Sequence, residues 1–158
     1  LYPYLSGREL LEFVAGLHGY SRGEARQRAG RALERFGLEE QQGGFAVTYS
    51  LGMRKRLALA AALLHDPKVL VLDEPTNGLD PQGARAMREL MRAQAAEGRT
   101  VFLSTHLLDV ADKICHRIAV IKAGILLAVG TPAELRAQQG FAADASLEDV
   151  FLKLTAGP

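Results

Sequence analysis

Cysteine is almost missing from this 158-residue chain: Cys115 stands alone in the mostly apolar stretch ADKICHRIAV. One thiol cannot close an internal disulfide, and its setting predicts a small buried side chain in a reducing compartment, the cytoplasm. No apolar run approaches the roughly 20 residues of a bilayer-crossing helix, and no basic-then-apolar leader opens the chain, so neither a membrane span nor export is expected. Charge of one sign is also lacking: 19 Lys and Arg face 18 Asp and Glu, a formal net charge of +1. That gives no field of the kind that holds nucleic acid by its phosphates, and nucleic acid is not an expected partner. Internal repeats, linkers and low-complexity tracts do not occur.

What is present is the composition of a globular domain, 48% apolar and long enough for a sizeable core. The first third reads as helical. In SGRELLEFVAGLHG, Ser6 and Glu9 form a capping box, apolar residues at 10, 13, 14 and 17 form the expected buried stripe, and Gly19 is the stop. SRGEARQRAGRALERFGL repeats the device with Ser21 and Glu24, sets Leu33 and Phe36 on one face, and stops at Gly37. After the loop EEQQGGFAV, Ser50 caps a third helix through LGMRKRLALAAALLH, with Leu57, Ala60, Ala61 and Leu64 as its core stripe. Arg54, Lys55 and Arg56 cluster near its start. Three adjacent helical residues splay around the circumference, so a solvated face is expected there rather than a nucleotide contact.

From Val69 the rhythm alternates: strand 69–73, helix 81–97, strand 100–104, helix 107–113, strands 117–121 and 125–129, then helices 132–138 and 147–154. Strands separated by single helices predict a parallel sheet with right-handed crossovers, and the short KAG at 122–124 predicts an antiparallel hairpin at one side.

In KVLVLDEPTNGLDP, residues 68–81, a mostly apolar strand empties into Asp73 and Glu74 and then into a turn of proline, asparagine and glycine. Open α/β sheets present their ligand chemistry at the carboxyl ends of strands. A carboxylate fixed there suits magnesium, a hard cation that takes oxygen ligands, and its neighbour can polarise water; the competing reading is that both acids only cap the turn. TVFLSTH delivers Ser104, Thr105 and His106 to the same edge, where a histidine can donate to a phosphate oxygen. His18, His65 and His116 lack such a setting and read as structural. Asp80 before Pro81 reads as a helix N-cap with proline at the first helical position.

Taken together, TYSLGMRKRLALAAALLHDPKVLVLDEPTNGLDP followed by STH resembles the ATP-binding-cassette (ABC) ATPases. The resemblance joins a signature motif at 49–53, a Walker B strand ending in Asp73 and Glu74, a D-loop at 77–80 and a switch histidine at 106, in family order. LYPYLSGRELLEF is similar to the segment after the Q-loop in that family, and GTPAEL with SLEDVFLKLT to the close of its ABC-2 and multidrug-exporter branch. The resemblance implies ATP and Mg2+ as cofactors, Asp73 on the metal, Glu74 and His106 in catalysis, and Ser50, Gly52 and Asp80 on nucleotide held across a dimer. Ser50 suits that role, because a helix amino end with free N–H groups binds phosphate. The signature departs from the common Leu-Ser-Gly-Gly-Gln form at Tyr49, Leu51 and Met53: Leu51 lacks glycine's backbone freedom and Met53 lacks glutamine's amide. The implied partners are a second ATPase subunit, as a homodimer, and a membrane-spanning permease, with the subunit on the inner face of the cell membrane.

No glycine in the chain is followed by lysine and then serine or threonine, so the phosphate-cradling loop is not in it. Family order places that loop, its strand and the Q-loop glutamine before Leu1, and the chain is expected to be the carboxyl-terminal two-thirds of a subunit, inactive alone. The expected fold is α/β: a P-loop NTPase-like parallel sheet lacking the Walker A strand, with an α-helical signature subdomain at 1–66 and a partial RecA-like core at 67–158. In the family the missing strand lies between 100–104 and 117–121, and the gap is expected to drive self-association or rearrangement. Two other readings stay open. One is a soluble ABC protein acting on DNA or the ribosome, against which stand the short, Gly-interrupted helices of residues 6–37. The other is a non-catalytic docking or dimerisation piece.

Overall fold

The computed structural model describes residues 2 and 4–156. It divides into two compact units, Leu1–Ser104 and Thr105–Pro158. The division expected between residues 66 and 67 falls inside the first unit.

The first unit opens with α1 (Gly7–Leu17) and α2 (Arg22–Arg35), each started by a complete capping box, Ser6 with Glu9 and Ser21 with Glu24. Hydrogen bonds from the Ser6 backbone and the Ser21 hydroxyl hold the two glutamates below the usual carboxylate range. The buried stripe of α1 is not the one its spacing predicts: Leu10, Leu11 and Ala15 are buried, whereas Phe13 and Leu17 are 40% and 70% exposed. The cause is that α1 packs on α2 and on the third helix together, which turns Leu11 inward. Phe13 instead meets Tyr2 edge-on. A short 3-10 turn (Ala46–Thr48) then leads to α3 (Leu51–Leu63). Leu57, Ala60 and Leu64 are buried as expected, joined by Leu59, while Ala61 is half-buried. Tyr49 sits over Gly7, where a Cβ would lie 2.3 Å from the phenol oxygen, and its hydroxyl donates to the Gln41 carbonyl at 2.6 Å.

The strands β1 (Val69–Asp73) and β2 (Thr100–Ser104) pair in parallel, connected through α4 (Pro81–Ala96). Register runs from Val69 opposite Thr100 to Asp73 opposite Ser104. Side chains alternate between the two faces of a strand. On one face Leu70 is buried and Leu72, Val101 and Leu103 are half-buried; on the other, Val69, Val71 and Phe102 are 56%, 70% and 60% exposed. The parallel pair therefore has one covered and one bare apolar face.

The second unit contains α5 (Leu108–Ile114), β3 (Ile118–Lys122), β4 (Ile125–Gly130), α6 (Pro132–Gln138) and α7 (Leu147–Thr155). β3 and β4 form the antiparallel hairpin that KAG predicts, turning through Ala123 and Gly124, both at positive φ as a two-residue hairpin loop requires. Among the described residues β1 and β2 form one sheet and β3 and β4 another. Leu135, Leu147 and Val150 make the core of this unit, with Leu108, Ile118 and Phe141 packed on it. Arg136 is nearly buried and donates to the Ala145 carbonyl at 2.7 Å and to Asp112 at 2.6 Å. Cys115 is half-buried rather than buried, standing in extended conformation at the end of α5; burial still raises its thiol pKa.

Candidate functional site

At the carboxyl end of β1, Asp73 is exposed and its carboxylate accepts a hydrogen bond from the Ser104 hydroxyl. The pairing of β1 with β2 puts these two residues side by side, so the strand register itself aims the acid. The next residue, Glu74, donates its N–H to the Ser104 carbonyl at 3.1 Å and to its hydroxyl oxygen at 3.3 Å. Glu74 leaves the strand at φ 44, in the left-handed region that a side chain other than glycine's adopts only when its surroundings impose it.

Those surroundings include a residue read from sequence as solvated. Lys55, on α3, donates from its ammonium to the carbonyls of Glu74 at 2.7 Å, Pro75 at 3.1 Å and Asn77 at 2.7 Å. Burial lowers its pKa, and the negative charge of Glu74 opposes that shift. The flanking arginines serve the backbone as well: Arg54 donates to the Tyr49 carbonyl at 2.5 Å, and Arg56 to those of Phe36 and Gly37 at 3.0 and 3.1 Å. The splayed triplet is thus half-buried, and each member closes a different turn instead of forming a charged face. A signal was available for Lys55: it lies one turn before Leu59, which is buried, so both point inward.

Ser50 caps α3, its hydroxyl accepting the Met53 N–H at 3.2 Å, while its carbonyl accepts the Arg54 N–H at 2.9 Å. The first-turn amides, those of Leu51 and Gly52, are the ones a helix offers to an outside acceptor. The start of α3 lies against the turn after β1: a Cβ on Gly78 would come 3.0 Å from Leu51, and one on Gly52 3.8 Å from Leu79. Asp80 caps α4 by accepting the Gly83 N–H at 2.8 Å, with Pro81 at the first helical position. Ser50, Gly52, Asp73, Glu74 and Asp80 thus belong to the first unit, where one turn, 74–80, connects them.

His106 belongs to the second unit. It lines a groove of about 370 Å³ together with Asp109, Lys113, Ser146 and Glu148. Among the described residues no cluster of three or more His, Cys, Asp or Glu side chains is placed to hold a metal. The donor set at Asp73 nevertheless fits Mg2+, which binds through one or two carboxylates and completes its shell with water and phosphate oxygens.

A family model described as "AAA domain, putative AbiEii toxin, Type IV TA system" matches residues 13–112. The chain is 45% identical over 136 residues to the daunorubicin resistance ATP-binding protein DrrA3 of Streptomyces coeruleorubidus, covering 86% of this chain and 43% of that protein. It is 38% identical to a fluoroquinolones export ATP-binding protein of Mycobacterium tuberculosis, over 85% of this chain and 44% of the other. A solved ATP-binding subunit of an ABC transporter superposes with a TM-score of 0.84 at 34% identity, covering 98% of this chain and 64% of that one. The chain belongs to the AAA-domain family. Clostridium perfringens cbiO1, part of the ABC transporter complex cbiONQ, gives a TM-score of 0.74 at 34% identity over 87% of this chain and 55% of its own. The chain spans less than half the length of the curated relatives it matches. Its fold is accordingly α/β and P-loop NTPase-like, with a parallel sheet and helices.

Proposed function

We propose that this chain is part of the ATP-hydrolysing subunit of an ABC exporter, with residues 1–66 as the signature subdomain and 67–158 as a partial RecA-like core. The observation that carries the reading is the Asp73–Glu74 pair at the end of a parallel strand, one acid held by the Ser104 hydroxyl and the other presented by a left-handed turn. Asp73 would hold Mg2+, which when bound neutralises charge on the phosphates. Glu74 orients and polarises the attacking water. His106 donates to a phosphate oxygen, while Ser50, the Gly52 amide and Asp80 face the nucleotide of the opposite subunit of a homodimer. A membrane-spanning permease supplies the path and sets substrate choice, and the subunit works from the cytoplasmic face. Names of the relatives that speak of drug resistance and export support this. Among the described residues no helix is long and apolar enough to cross a membrane. Lacking a Gly-Lys-Ser/Thr loop, residues 1–158 hydrolyse ATP only within the longer polypeptide.

The test is Glu74→Gln in the full-length polypeptide that carries this sequence. ATP binding is expected to persist while turnover falls about a hundredfold or more, as for a residue that handles the water proton. Wild-type turnover in that variant, measured as phosphate release, removes Glu74 from catalysis.

A further inference from the structure

We propose that Lys55 is a positioning residue for Glu74, tying the setting of that carboxylate to the position of helix α3. The inference rests on the catalytic role given to Glu74 above and adds a residue that the family motifs do not mark. An ammonium has three N–H donors, and Lys55 directs them at the carbonyls of Glu74, Pro75 and Asn77. No donor remains for a phosphate, so the lysine acts on the turn and not on nucleotide. The turn it grips is the one that Glu74 enters at φ 44, and the Pro75 carbonyl belongs to a buried residue that water serves poorly. Glu74 is tethered from the other side through its N–H to Ser104. Its backbone is therefore clamped between β2 and α3, and Lys55 is the α3 jaw.

The consequence concerns communication. Ser50 opens the same helix little more than one turn before Lys55. A shift of the α3 start, the end assigned to the opposite subunit's nucleotide, pulls on three carbonyls beside the chain's own Glu74. Lys55 thereby makes hydrolysis in one site responsive to occupancy of the other.

The test measures kcat and KM for MgATP in the full-length polypeptide, in wild type, Lys55→Met, Lys55→Gln, Lys55→Arg, Glu74→Gln and the Lys55→Met/Glu74→Gln double variant. Misplacing a catalytic group by about 1 Å is worth about a hundredfold. The expected result is a kcat loss of about ten- to a hundredfold in Lys55→Met and Lys55→Gln with KM changed less than about threefold. Arginine, which keeps charge and donors in a different fork, restores part of the rate. In the Glu74→Gln background Lys55→Met causes no further loss, because the two act as one unit. Losses that multiply in the double variant, or a folded Lys55→Met or Lys55→Gln that keeps wild-type kcat, overturn the proposal. Should Lys55→Met fail to fold, Lys55→Gln and Lys55→Arg carry the same decision through the split between kcat and KM. Full turnover in Glu74→Gln overturns the underlying functional reading instead, whatever Lys55 does.

Discussion

The Asp80 carboxylate lies close over Gly83. A Cβ at that position would lie 2.6 Å from the Asp80 Oδ1 that accepts the Gly83 N–H. A side chain there makes the capping carboxylate shift, as the caps over Glu9, Glu24 and Met53 already accommodate. Asp80→Ala is expected to destabilise by about 1 kcal/mol and Asp80→Asn by little, since asparagine caps as well as aspartate. Urea unfolding followed by circular dichroism measures both, and a neutral Asp80→Ala would contradict the cap's role. Asp80 itself was legible in the sequence, from its place ahead of Pro81. The close approach at Gly83 was not, because it arises from the direction of another residue's side chain. Lys55 was misjudged for a related reason: three adjacent charges look alike in a string, whereas each has a different carbonyl in reach once α3 packs.

At the level of elements, α1 and α3 are joined at their carboxyl ends by stacked imidazoles, His18 and His65, with ring centroids 4.0 Å apart and planes inclined by 11°. Burial chiefly, then the neighbouring His18, lowers the pKa of His65, while Asp66 works the other way. The sign comes from proton counting. Because the folded pKa lies below the unfolded one, the unfolded chain takes up its proton first, so stability is complete above the unfolded value of about 6.5 and declines as pH falls through the folded value. Thermal midpoints are therefore expected to drop between about pH 7.5 and pH 5.5, with a shallower drop in His18→Phe, which keeps the stack and removes the charge. An identical slope in that variant would detach the effect from the pair. Capping boxes made the starts of α1 and α2 readable, and the KAG turn gave the β3–β4 hairpin. The face of α1 was not readable, since a helix packed on two others buries a direction that its own period does not specify.

At the level of the whole molecule, the alternation of helices and strands carried the α/β class, but not the bare side of the first sheet, since the pattern of an apolar strand does not say which of its faces is covered. Parallel sheets are ordinarily covered on both faces. Val71 and Phe102 lie opposite each other in the register and are 70% and 60% exposed, beside Val69 at 56%. A net charge of +1 offers little repulsion to keep copies apart. Residues 1–158 alone are expected to self-associate with rising concentration, and the Val71→Lys/Phe102→Lys double variant to return them to the monomer mass in light scattering. A monodisperse wild-type monomer at high concentration would show that the face needs no cover.

The register of β1 against β2 also works as a gauge of length. Asp73 meets Ser104 only while all five pairs stay in step, and Arg99 pins the far end by its ion pairs with Asp66 and Glu97. An extra residue inside β2 would shift the count by one, exchanging the inward and outward sides of the strand beyond it and carrying Ser104 away from the acid. Beyond Gly19, between α1 and α2, no such count has to be kept. Evolution and engineers therefore meet the same asymmetry: the chain can lengthen between its first helices, but the strand from Thr100 to Ser104 is a measured span that refuses insertion.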